Sequence, residues 1–132
     1  MRRSTYLLFM LSFFLTCHQP AEDLSIECIG DHQARLIRGG CEAYVFQLIA
    51  PSVLTQAVWK DIFTKKEYTN VLSVLNYCDD TPESKMLQSL SNGDLVTMTL
   101  TPTEERCLIL CFAFEDAPDK SYKASAISIC AK

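Results

Sequence analysis

The stretch Pro51–Cys78, PSVLTQAVWKDIFTKKEYTNVLSVLNYC, decides the fold, because it is the longest periodic segment of the chain. Val53, Leu54, Ala57, Val58, Ile62 and Phe63 recur at helical spacing behind Pro51. Proline is accepted in a first helical turn and expelled from later ones, so it suits an opening here. Tyr68, Val71, Leu72, Leu75 and Cys78 continue the spacing, which predicts one broken helix or two successive helices over about residues 52–78. A shorter helix is expected next. Asp80 or Thr81 would cap it, Pro82 would open it and Glu83 would oppose its dipole. Met86, Leu87 and Leu90 would form its buried stripe before Asn92 and Gly93 end it.

Moving outward, Val96, Met98 and Leu100 alternate with Thr97, Thr99 and Thr101, the period of a strand with one buried face. Cys107 to Phe114 is an almost continuous apolar run, read as a strand buried on both faces that completes a hairpin. Thr101, Pro102 and Glu104 also fit a helix opening. Strand is preferred, because a helix over that run would be apolar nearly all round. On the other side, Gly39-Gly40 separates Ala34–Arg38 from Cys41–Ile49 and reads as a two-residue hairpin turn whose sites accept positive φ. Leu24–Ile29 and Ala124–Cys130 are read as further strands. The expected fold class is α+β: a small disulfide-stabilised single domain with a central helical block (about residues 52–91) flanked by short antiparallel strands.

Arg2 and Arg3 precede the apolar run Tyr6–Thr16, which is too short for a membrane span and reads as a secretory signal peptide. Cleavage is expected after Cys17 or Ala21, giving residues 1–21 as signal peptide and 22–132 as a secreted cysteine-rich domain. Acylation of Cys17, as in a bacterial lipoprotein, fits poorly with Phe14, Leu15 and Thr16 before it. Cys28, Cys41, Cys78, Cys107, Cys111 and Cys130 then enter an oxidising compartment, where six cysteines in a small chain imply three disulfides. Six cysteines allow fifteen pairings, and sequence does not choose among them. Cys107 and Cys111 lie on the same side of the chain and should reach two different partners. A zinc reading of that pair lacks a matching second pair.

The chain has 12 basic and 16 acidic residues; without Arg2 and Arg3 the formal charge is −6. This balance argues against nucleic acid or anionic membrane as a partner. Lys60, Lys65 and Lys66 form the one basic cluster and read as a solvated helix face. Catalytic chemistry has few candidates. His32 is the only histidine left after cleavage at Ala21, in a Gly30-Asp31-His32-Gln33 stretch that reads as a turn. Asp79-Asp80, Glu104-Glu105 and Glu115-Asp116 sit at expected element ends, where acidic caps and turns are common. No nucleophile elbow or phosphate-cradling glycine loop is present. No catalytic residue, metal ligand or cofactor site is therefore assigned, and no enzymatic activity is expected.

The expected function is that of an extracellular interaction protein, a secreted ligand, inhibitor or effector that binds another protein. Trp59 lies one step off the main apolar stripe and reads as core or partly buried; taken instead as a binding anchor, it would share a helix face with Phe63, four residues on, with Lys60 at the rim, and Trp59→Ala would then leave the fold intact. The alternative is an extracellular carrier of small apolar ligands, motivated by the helical block and by Leu108, Leu110, Phe112 and Phe114. A small secreted enzyme ranks third.

Overall fold

A computed structural model describes residues 28–107, 111 and 115–131. Residues 1–27, with the expected leader and the start of the strand expected at Leu24–Ile29, lie outside the described residues, as do 108–110, 112–114 and 132. Strands β1 (His32–Arg38), β2 (Ala43–Leu48), β3 (Gln56–Lys60) and β4 (Glu67–Leu75) come first. Helix α1 (Pro82–Ser89), β5 (Leu95–Pro102) and β6 (Ser121–Ala131) follow. The central helical block is therefore absent. Where helices were expected over residues 52–78, the chain forms the antiparallel hairpin β3–β4, and the fold is mostly β-sheet.

The physical reason lies in β4. Val71, Leu72, Ser73, Val74 and Leu75 are all buried, because this strand has an apolar environment on both faces. Such a run shows no alternation, and over a short length it cannot be told from a buried helix. Residue type carries the missing information: Val58, Trp59, Tyr68, Thr69, Val71 and Val74 are β-branched or aromatic, the types that fit a pleated surface.

The sheet order is β2-β1-β5-β6-β4-β3, and β2 also pairs with β4. Five strands thus close into a barrel, β1-β2-β4-β6-β5, with β3 carried on the edge of β4. Only β4–β6 is parallel. A Greek-key barrel of five strands with the helix after its third strand has the connectivity of an OB-type barrel. The interior is filled by alternate residues of every barrel strand: Ala34 and Leu36, Tyr44, Phe46 and Leu48, Leu72 and Val74, Val96 and Met98, Tyr122 and Ala124. Leu87 of α1 joins that core. A second cluster, Val45, Trp59 and Val71 with Ile37, Tyr68 and Ala117, is separate from the first and joins β3 to β1, β2 and β4.

Several expectations hold. Thr81 caps α1 by accepting from the Ser84 amide at 3.1 Å, with Pro82 at its start. The strands expected at Val96–Thr101 and Ala124–Cys130 are β5 and β6. Ala34–Arg38 and Cys41–Ile49 correspond to β1 and β2, paired antiparallel. Their connection is Gly39–Glu42 instead of two residues, and neither Gly39 nor Gly40 adopts positive φ. Cys28 and Ile29, at the end of the expected first strand, have no regular structure, and neither do Cys107 and Cys111. His32 opens β1 and is half-buried, where a turn was expected.

Candidate functional site

The β3–β4 hairpin turns at Asp61–Lys66, and Asp61 organises the turn. Its carboxylate accepts the Phe63 amide at 2.9 Å and the Thr64 hydroxyl at 2.9 Å. Its carbonyl accepts the Lys65 amide at 2.8 Å, and its own amide donates to the Lys66 carbonyl at 2.9 Å. Lys65 takes a left-handed φ of 62° to close the turn. Asp61 is 2% exposed, yet it is not an isolated charge, because Arg38 of β1 places Nη1 at 2.9 Å from Oδ1. Burial alone would raise its pKa, but the Phe63 and Thr64 donors and the Arg38 charge outweigh burial and hold it below the ordinary aspartate value.

Arg38 is shared. Its Nη2 donates to the Asp116 carbonyl, and its guanidinium lies 5.4 Å from the Trp59 ring centroid and 5.0 Å from that of Phe63. Cation–π attraction thus acts towards a buried indole and towards a phenyl ring that is 59% exposed. Ile62 beside it is 40% exposed, and Lys60, Lys65 and Lys66 of the same hairpin are exposed. The tip therefore presents apolar and cationic groups on a backbone held by hydrogen bonds from within.

Support comes from the segment after β5. Cys107 bonds to Cys78 and Cys111 to Cys41, so the two cysteines reach different partners as their spacing predicts. Cys28–Cys130 is the third bridge. Beyond Cys111, the Glu115 carboxylate accepts the amides of Cys41, of Glu42 at 2.9 Å and of Ala43 at 3.3 Å. Gly40 is what admits it: a Cβ there would stand 2.9 Å from Glu115 Oε2 and 2.6 Å from the Ala43 carbonyl oxygen. Burial, with Glu115 adding to it, raises the Tyr44 pKa. Ser73 donates its hydroxyl to the Pro118 carbonyl at 2.7 Å and its amide to the Lys120 carbonyl at 2.9 Å. The strap 115–120 is thereby fastened to β4 and to the β1–β2 turn, and through Asp116 it holds Arg38 under the tip.

Of the residues expected to form a binding face, only part remains at a surface. Trp59 is 6% exposed and packs with Val45 and Val71, so it belongs to the outer core. The helix face that was to join it to Phe63 does not exist, because Trp59 ends in a strand and Phe63 sits in the turn. Trp59 Nε1 is buried without a hydrogen-bond partner among the described residues. Lys60 and Phe63 remain exposed on one hairpin. Arg38 and Asp61 were not singled out from sequence, and Glu115 was read only as one of an acidic pair at an element end. Asp61 carried a readable signal, since an aspartate accepts from the backbone amide two residues on in a turn, as it does here from Phe63.

Cys41, Cys111 and Glu115 come together in space, but both sulfurs are in a disulfide and are not thiolate ligands. Of the buried apolar residues in the expected helical block, Trp59, Val71, Leu72, Val74 and Leu87 pack into the two cores. The hollow between Pro102–Arg106 and Asp119–Tyr122 is an open surface groove with a largely polar lining. Comparison of the chain with protein-family models, with curated proteins and with solved structures finds no match.

Proposed function

We propose that this is a secreted extracellular interaction protein: a disulfide-stabilised barrel that binds another protein through the β3–β4 tip, without catalytic turnover. The observation that carries the reading is the exposure of Ile62 and Phe63 on a turn whose backbone is fixed by Asp61 and Arg38. A pre-ordered turn loses little conformational freedom on docking, and an aromatic side chain in a receiving pocket is the usual energetic anchor of an interface. The extracellular setting is supported by the leader and by three intramolecular disulfides, which are typical of oxidising compartments. OB-type barrels serve many functions, so the fold by itself does not choose the ligand. The acidic balance of the chain speaks against oligonucleotides.

The test is a photo-crosslinking side chain placed at position 63, compared with the same group at exposed position 88 on α1, in extracellular fluid. A protein adduct at 63 that excess unlabelled chain competes away, and that is absent at 88, is the expected outcome. Equal adducts at both positions would reject the tip as the interface.

A further inference from the structure

Building on the tip as the interface, we infer that its protein partner presents an acidic groove with an apolar floor. Acidic residues outnumber basic ones in this chain by 16 to 12, yet three lysines converge on one turn of six residues and its first flanking strand. Lys60, Lys65 and Lys66 are all exposed, and none makes an ion pair among the described residues. No nearby acid forms a salt bridge with them among the described residues. Asp61 is buried and committed to Arg38, and Glu67 opposes Lys60 in register without forming a salt bridge. Elsewhere Lys85, Arg106 and Lys123 each have an acidic partner, whereas Arg35 and Lys120 donate to single backbone carbonyls and are not clustered with another unpaired cation in sequence.

The three cations flank Ile62 and Phe63 along the same hairpin, and the exposed apolar area of those two residues gains by leaving water. The complement of this arrangement is an apolar pocket for Phe63 with carboxylates at its rim. Such charges act mainly on encounter rate and orientation, while the buried aromatic sets the lifetime of the complex. An anionic bilayer shares part of this chemistry. A protein groove is favoured because the turn is held in one conformation, and because the acidic remainder of the chain would be repelled by a continuous anionic plane.

The probe is a random copolymer of glutamate and tyrosine, with poly-glutamate as its apolar-free counterpart, titrated into the oxidised protein and followed by amide shifts. Shifts should centre on residues 60–67, be larger with the copolymer, and fade at high salt. The triple variant K60Q/K65Q/K66Q should bind the copolymer about tenfold more weakly, the low end of electrostatic steering. Phe63→Ser should abolish the preference for the copolymer but keep the salt-dependent response. Loss with Phe63→Ser but none with the triple variant would overturn the acidic partner while leaving the tip as interface. Shifts centred elsewhere would reject the tip itself. Phosphatidylcholine vesicles with 30% phosphatidylserine are the second arm, a composition chosen to give roughly the charge of an anionic leaflet. Binding to the vesicles without binding to the copolymer would overturn the protein groove in favour of a lipid surface.

Discussion

At Asp61 two side chains and one backbone amide converge on a single buried carboxylate, so the loss of its charge should be felt throughout the tip. Asp61→Asn should destabilise by about 2 kcal/mol at neutral pH, less than for a fully buried pair because Arg38 keeps some access to water. The pH dependence follows from the sign of the shift. A folded pKa below the ordinary 3.8 means that the contribution is complete above that value and is lost as pH falls through the folded pKa. Urea unfolding should therefore show the wild-type advantage over Asp61→Asn narrowing below about pH 4, and an advantage constant into stronger acid would refute the assignment. Trp59 gives a second residue-level test, with the opposite expectation to that of an exposed helix face. Trp59→Ala should cost about 3–5 kcal/mol, while Trp59→Phe, which keeps an aromatic in the outer core and removes an unpartnered N–H, should cost much less. Equal midpoints for the two variants in denaturant would show that the indole is not packed.

Among the elements, those legible in the sequence have a single environment per face or a local chemical marker. β5 alternates threonine with apolar residues, α1 has Thr81 and Pro82 at its start, and Gly39-Gly40 marks the β1–β2 connection. The β3–β4 hairpin was not legible as strand because burial on both faces erases the alternation of Val71–Leu75, and because Val58 and Phe63 are exposed apolar residues that filled out a false helical stripe. Of the site, Lys60 and Phe63 were within reach of sequence, whereas Arg38 and Glu115 act across 23 and 74 residues through contacts that only tertiary pairing creates. The strap offers an element-level prediction. Gly40→Ala places a methyl against the Ala43 carbonyl and the Glu115 carboxylate, so it should destabilise by about 1–3 kcal/mol and increase amide exchange at Glu42 and Ala43. Unchanged protection at both amides would show that Glu115 does not hold the turn.

For the whole molecule, the three bridges tie the barrel to its flanking segments: Cys28–Cys130 spans 102 residues, Cys41–Cys111 spans 70 and Cys78–Cys107 spans 29. On a chain-entropy basis they contribute about 4.7, 4.4 and 3.6 kcal/mol respectively, of the order of the whole stability of a small domain. Non-reducing peptide mapping should return those three pairs and no free thiol, and replacing both cysteines of either longer loop by serine should lower or abolish secreted yield. A Cys107–Cys111 peptide would contradict the strap. These bridges hold a scaffold whose stability owes little to the two side chains it displays, and the central claim is that binding resides in those side chains. The most direct measurement compares the I62S/F63S double variant with wild type for thermal midpoint and for capture of the partner crosslinked at position 63. The account predicts a midpoint within a few degrees of wild type, as for exposed substitutions, and capture weakened by more than about 1 kcal/mol. Full capture by a correctly folded double variant would contradict it.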